Sequence, residues 1–274
     1  MRVAYTRCVE TGMAVLPPGT WLQLMYLKER LRNVAPGYFV EIGPGGGEIS
    51  RLLLNTRWRG RAYDLEPATV HQLRLRFTRE IAEGRYDAVA IDYLDVSTLP
   101  EKVDLVISSM VMEHLDETAE SEFVRKTAAF LSDRGIMIGL VPASPDHWGI
   151  EDEIAGHFRR YTRERIYTLL ANHHLECQHL AGLTYPISNL TLPISNYLVK
   201  RTEESKLELS LAERTKQSGR RKVPLKTDFP MWFGLFLNPY VLLPLHALQK
   251  SLRGSRAALV LYFEGAPRSE GRLG

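Results

Sequence analysis

Residues 40–48 read Val-Glu-Ile-Gly-Pro-Gly-Gly-Gly-Glu, directly after Tyr38 and Phe39. Four of the five positions 43–47 are glycine. Each costs backbone entropy on folding and gives the core no side chain. A tight turn needs only one or two glycines, so this density points to a ligand that comes close to the backbone. The stretch follows a short apolar run, Tyr38–Ile42. It precedes Glu48–Asn55, where Ile49, Leu52 and Leu53 share a helical face. The loop is therefore expected to join a strand to a helix.

Outward from the loop, strands and helices alternate. Upstream, Leu22, Met25, Tyr26, Leu27 and Leu31 are spaced for a helix over Thr20–Asn33, ending before Pro36-Gly37. Downstream, Arg61–Asp64 reads as a second strand. Pro67 suits the first position of a helix, and helical periodicity continues over Val70–Ala82. Ala88–Ile91, Val103–Ser108 and Ile136–Val141 are further apolar runs, with a helical stretch Glu117–Leu131 before the last. Leu73, Leu75 and Phe77 are expected in the core. The alternation predicts an α/β fold, a mostly parallel sheet covered on both faces. Ligands of such sheets sit at the carboxyl ends of the strands, which is where the glycine loop lies.

With 274 residues and 45% hydrophobic content, the chain is long enough for one large domain or one domain with an elaboration. A net charge of +3 provides no global field for nucleic acid, and none is expected as a partner. Cys8 and Cys177 form neither a disulfide framework nor a metal knuckle, which fits a reducing cytoplasm. Residues 1–15 lack the uninterrupted apolar core of a signal peptide.

A dinucleotide-binding turn would read G-x-G-x-x-G. Gly43 and Gly45 match, but the third position is Glu48, whose carboxylate at a helix start is expected to repel a diphosphate. No Lys-Ser/Thr pair follows, which excludes a Walker loop. The loop therefore suits a nucleoside without a polyanionic tail.

Glu41-Ile-Gly-Pro-Gly-Gly-Gly resembles the glycine loop of class I S-adenosylmethionine-dependent methyltransferases. Tyr63-Asp64-Leu65-Glu66-Pro67 is similar to the family's second-strand ending, and Ala90-Ile91-Asp92-Tyr93, with Leu99-Pro100 beyond it, to the segment after its third strand. The run Val103 to Leu115 resembles the fourth strand and its turn. Arg134-Gly135 followed by Ile136–Pro142 resembles the fifth, and Gly156-His-Phe-Arg-Arg-Tyr-Thr followed by Leu175–Leu180 the approach to the sixth. These matches cover roughly 38–185, in the family's order.

The resemblance implies a seven-stranded Rossmann-like sheet with an antiparallel last strand, for which Ala257–Glu264 is the candidate. It implies S-adenosylmethionine as cofactor, with Gly43, Gly45 and Gly47 against the methionine part and Glu41 orienting the loop and the amine. Asp64 would take the ribose hydroxyls and Asp92 the adenine amino group, with Tyr93 and Ser109 as further contacts. Two acceptor oxygens on Asp64 suit a vicinal diol; a helix cap ahead of Pro67 is the ordinary alternative, and Asp92 could equally be a turn residue.

A hydroxyl acceptor needs help losing its proton, and histidine is the usual base. His114, after the fourth strand, and His157, in the Gly-His-Phe-Arg-Arg-Tyr-Thr segment, are the candidates. Structural roles are open to both: His114 as a cap of the helix at Glu117, His157 as a backbone hydrogen-bonder. An amine acceptor would need no base. His147, Glu151, Asp152, Glu153 and His157 fall within eleven residues, with Glu153 and His157 at helical spacing. An acidic helix start gives the same pattern, so no metal is expected.

Residues 1–37 are assigned to an N-terminal helical segment, 38–185 to the cofactor-binding core, 187–256 to an insertion and 257–264 to the last strand. The insertion opens with a charged stretch, Lys200–Lys226, that contains Arg220-Arg221-Lys222. Its second half, residues 229–248, is strongly apolar but interrupted by Asn238, Pro239 and Pro244, which is unfavourable for a membrane span. A buried helical cap over the substrate pocket is expected; a peripheral membrane contact through 229–248 is the alternative. Either favours a small-molecule or lipid-like acceptor with apolar character. A catalytically inactive S-adenosylmethionine-binding partner and an aminopropyl transferase are the other readings the fold allows.

Overall fold

A computed structural model describes residues 15–210, 213–214, 223 and 229–268. Cys8, Arg220-Arg221-Lys222 and much of the charged stretch 200–226 lie outside the described residues. The chain divides into two compact units. One comprises Asn33–His147, His157–Ala181 and the chain from Val260 onward. The other comprises the chain up to Arg32, Trp148–Gly156 and Gly182–Leu259.

The first unit is built on the sheet. Its strands are β1 (Tyr38–Ile42), β2 (Arg59–Asp64), β3 (Tyr86–Ala90), β4 (Val103–Ser109), β5 (Leu131–Pro142), β6 (Leu175–Leu183) and β7 (Val260–Pro267). The seven strands run in the order β3-β2-β1-β4-β5-β7-β6. The pairs β2–β3, β1–β2, β1–β4 and β4–β5 are parallel, and β7 runs antiparallel to β5. The α/β sheet with an antiparallel last strand is thus present, and that strand falls three residues later at both ends than expected.

Strand β1 shows why the sheet is central, since all five of its residues are buried. Tyr38, Val40 and Ile42 belong to a cluster that includes Val106, Met137, Phe123 and Phe263. On the other face Phe39 stacks on Tyr86, with ring centroids 6.3 Å apart. An apolar residue on each face of a strand is what a sheet covered on both sides requires.

The connecting helices are α2 (Glu48–Asn55), α3 (Pro67–Arg76), α4 (Thr78–Ala82), α5 (Glu117–Phe130) and α7 (Arg163–Asn172), while α1 (Pro18–Arg30) and α6 (Ile150–Ala155) belong to the second unit. The single helix expected over 70–82 is two, broken at Phe77. Phe77 and Leu73 are buried as expected, but Leu75 is exposed. Leu73 and Leu75 are two apart, so they cannot share one helical face. Strand β5 begins earlier than the expected Ile136 because its pairing with β4 is irregular: Val103 meets Leu131, then Leu105 meets Ile136.

The second unit joins parts of the chain that are distant in sequence. Helix α9 (Leu243–Ser251) packs on α1: Gln249 Nε2 donates to the Leu22 carbonyl at 2.9 Å, and Lys250 Nζ stands 2.8 Å from Glu29 Oε1. Helix α8 (Ile187–Glu203) buries Val199 with Ile154 and Val223. Thus α1, read from sequence as a separate segment, shares a unit with the insertion.

The apolar run 229–248 differs from expectation. It is not a buried helix: Met231–Leu235 form a 3-10 turn, and α9 starts only at Leu243. Trp232, Phe236 and Tyr240 are 58%, 58% and 75% exposed. Pro230 and Pro239 leave only short stretches before α9, and Pro244 sits in the first turn of that helix. Among the described residues, no helix is long and apolar enough to cross a membrane.

Candidate active site

The loop between β1 and α2 explains its glycines one at a time. Gly43, Gly45 and Gly47 have φ of 65°, 52° and 82°, in the left-handed region. A Cβ on Gly43 would stand 2.4 Å from Val111 Cγ2, and one on Gly47 would stand 2.7 Å from both Leu73 and Phe77. At these positions the protein's own core comes close. Around Gly45 a Cβ would meet nothing within 4 Å. The open side of the loop is therefore at Gly45.

Glu41 lies beneath the loop and is buried. Its carboxyl group accepts a hydrogen bond from the Ser50 hydroxyl, and Ser50 Oγ is 3.0 Å from Tyr86 Oη. Burial pushes the Glu41 pKa up to about 8 against these hydrogen bonds. Glu48, expected to stand as a bare negative charge, is paired instead: its Oε1 is 2.8 Å from Arg76 Nη1. Arg76 also bonds the Gly46 carbonyl, bracing the loop from outside. The expected repulsion of a diphosphate thus loses much of its force, because the guanidinium offsets the carboxylate.

Asp64 ends β2, and Asp92 follows β3, both beside the loop at the carboxyl edge of the parallel strands. Each braces its own turn. Asp64 Oδ1 accepts from the Glu66 N–H at 2.8 Å, and Asp92 Oδ1 from the Leu94 N–H at 2.8 Å. Glu66, not Asp64, occupies the N-cap of α3. Tyr93 departs from expectation. Its ring is buried against Tyr63, Phe123 and Phe130, and its hydroxyl is 3.1 Å from Thr127 Oγ1. The side chain serves the core, because Tyr93 opens a turn whose apolar face points inward.

Ser109 is the last residue of β4. Met110 then takes φ 55°, unusual for a residue with a side chain, and its N–H donates to the Leu140 carbonyl at 2.8 Å. The chain turns through Met112–His114 into α5, whose N-cap is Asp116, so His114 does not cap that helix. The segment after Gly156 returns to the same edge. The Phe158 N–H donates to the Glu113 carbonyl at 2.8 Å, and the Tyr161 N–H to the Pro142 carbonyl at 2.8 Å. Arg159 lies 3.0 Å from the buried Glu120 and also bonds the Leu115 carbonyl.

These bonds bring the two candidate histidines together. The rings of His114 and His157 meet edge to face with centroids 4.8 Å apart. Glu113, fully buried, stands beside them with Oε1 3.9 Å from His157 Nε2. Each of the three offers a ligating atom within 4.8 Å of the other two. Sequence reading missed Glu113, whose only signal was a carboxylate lodged between the apolar Met112 and Leu115. The acidic run 147–157 does not assemble in the way its spacing suggested. Helix α6 ends at Ala155 with a left-handed Gly156, so Glu153 and His157 do not share a helical turn. His147 Nδ1 is 2.8 Å from Ser144 Oγ, and Asp152 accepts from the Gly149 N–H.

A family model described as "Methyltransferase domain" matches residues 16–180. No curated protein matches the chain in sequence. Among solved structures, a candidate methyltransferase from Bacillus halodurans C-125 is 13% identical, with a TM-score of 0.51 over 66% of this chain and 86% of that one. The pyocyanin biosynthetic protein PhzM is 20% identical, with a TM-score of 0.47 over 60% of this chain, which spans only 51% of that protein's length. The N-methyltransferase NodS from Bradyrhizobium japonicum WM9, solved with S-adenosyl-L-homocysteine, is 21% identical, with a TM-score of 0.49 over 60% of this chain and 77% of NodS. The family match covers more than half of the chain and spans β1 to β5, the glycine loop included, so the chain belongs to the methyltransferase domain family and carries the fold of the class I S-adenosylmethionine-dependent methyltransferases.

Proposed function

We propose that the chain binds S-adenosylmethionine across the carboxyl edge of β1–β4 and transfers its methyl group to an oxygen of a partly apolar small molecule. The observation that carries this reading is the loop at Gly45. The backbone is held left-handed there with no protein atom near a would-be Cβ, while Asp64 and Asp92 stand at the adjoining strand ends. Gly45 would admit the methionine part, Asp64 the ribose diol and Asp92 the adenine amino group. Glu41 supports the loop from within the sheet through Ser50. When bound, the sulfonium supplies an already activated methyl group.

What remains for the protein is alignment and proton removal. Oxygen is favoured because Glu113, His114 and His157 gather at the turn after β4, groups suited to helping a hydroxyl lose its proton. The apolar composition of residues 229–248 favours an acceptor with apolar character. The test is calorimetry of the full chain with S-adenosylmethionine and S-adenosylhomocysteine. A screen of phenol, carboxylate and amine acceptors follows, read by S-adenosylhomocysteine release. Binding of both nucleosides and turnover with a hydroxyl compound are expected. Absence of binding overturns the cofactor assignment, and turnover with amines alone overturns the choice of oxygen.

A further inference from the structure

We infer that Glu113, His114 and His157 form a binding site for a divalent cation of the zinc, cobalt or manganese type. The three come from two separated parts of the chain, the turn after β4 and the segment after Gly156. Those parts are held in register by the Phe158-to-Glu113 backbone bond at 2.8 Å and by Arg159 at the Leu115 carbonyl. One ligating atom from each side chain lies within 4.8 Å of the others, with Glu113 Oε1 3.9 Å from His157 Nε2. Two imidazoles and one carboxylate are the donor set of open nitrogen–oxygen sites, which leave positions free for substrate. Bonds of about 2.0–2.2 Å to a metal place neighbouring ligand atoms about 3–3.5 Å apart, so the widest pair has to close by no more than about 1.3–1.8 Å, within reach of side-chain rotation.

Burial fits the same reading. Glu113 is fully buried, and a bound cation would offset the several kcal/mol that a carboxylate removed from water costs.

The cation's role rests on the methyl-transfer reading above, although the site itself does not. Held by Glu113, His114 and His157, a cation would lower the pKa of an acceptor hydroxyl and so ease loss of its proton to water, and the two histidines would serve as its ligands instead of as bases. The acceptor oxygen would then bond to the methyl carbon as the carbon–sulfur bond breaks, its electron pair going to sulfur.

The experiment uses the full chain, stripped with chelator and desalted. Cobalt(II) chloride is titrated with visible d–d absorption as the readout, and zinc chloride by calorimetry. One equivalent of cation is expected to bind. Glu113→Gln and His157→Asn are each expected to weaken it by no less than the about 10-fold that even an outer-shell partner costs. S-adenosylmethionine binding and thermal unfolding of the variants should match the wild type, which shows that they fold. Wild-type protein that binds S-adenosylmethionine but neither cation overturns the site and leaves the cofactor assignment standing. Undiminished stoichiometric binding in the Glu113→Gln/His157→Asn double variant also overturns it. Cation binding without S-adenosylmethionine binding supports the site and sinks only the earlier reading.

Discussion

Ser50, on the helix that follows the glycine loop, donates its hydroxyl hydrogen to the carboxylate of Glu41 on the strand that precedes it. The loop is thus clasped from inside by the two elements it connects. Burial raises the Glu41 pKa to about 8, so the folded protein keeps a proton that the unfolded chain releases near the ordinary value of 4.5. The sign follows from linkage: this group's contribution to stability is full below pH 4.5 and is lost as pH rises through about 8. Glu41→Gln should flatten that part of the pH dependence, which runs at up to about 1.4 kcal/mol per pH unit. Urea unfolding midpoints of both proteins, measured across the window, check it; equal slopes would show that Glu41 is ionised in the fold.

The glycines separate into structural and ligand-facing positions. Gly47→Ala places a methyl group 2.7 Å from Leu73 and Phe77 at φ 82°, and should cost about 2–4 kcal/mol of stability. Gly45→Ala meets no protein atom within 4 Å, and should cost only the about 1–2 kcal/mol of a left-handed backbone. It should nevertheless impair S-adenosylmethionine binding. Paired urea titrations and calorimetry tell the positions apart, and wild-type affinity in Gly45→Ala would place the ligand elsewhere.

Asp64→Asn preserves an acceptor for the Glu66 N–H and removes the charge that a ribose diol would use. Stability should stay within about 0.5 kcal/mol of wild type, as expected for a change that keeps the turn bonded. Affinity for S-adenosylmethionine and S-adenosylhomocysteine should fall together by about 10–100-fold, the worth of a charged hydrogen bond. A fall for only one of the two would argue against ribose, which both share.

Gln249 is the polar hinge pin of the second unit. It accepts from the Thr184 N–H at 3.0 Å, donates to the Leu22 carbonyl at 2.9 Å and lies 2.8 Å from His246 Nδ1. Gln249→Leu leaves two buried backbone groups without their bonds, and should cost about 2–4 kcal/mol. A lowered thermal midpoint with intact S-adenosylmethionine binding is the expected pattern.

Much of the sheet was legible because its signals are local. Tyr38–Ile42 and Glu48–Asn55 were bounded correctly from apolar period and glycine punctuation alone. β2 and β3 begin earlier than their apolar runs, with Arg59 and Tyr86, since strand pairing carries polar flanks into the ladder. The loop, Asp64, Asp92, Ser109 and the two histidines all come to the carboxyl edge or its adjoining turns. Glu113 was not legible, because its burial depends on a segment more than forty residues away, and neither was the inward turn of the Tyr93 ring. The union of α1 with residues 182–259 had no local signal either, being made by contacts such as Gln249 with Leu22. Hydrophobicity suggested burial for Trp232, Phe236 and Tyr240, but prolines prevent the helix that could have provided it.

The slot of β7 between β5 and β6 governs how this protein is born. A ribosome completes β5 and β6 and must then make all of 184–259 before Val260–Pro267 emerges to join them. Until then β5 carries an unpaired edge next to the Ile136–Val141 run, where a second nascent chain can add a strand. Sheet closure is a long-range, late event, slow by topology and exposed to misassembly while it waits. Slower translation of residues 184–259 is therefore expected to lower the yield of folded protein, and shielding of the β5 edge to raise it.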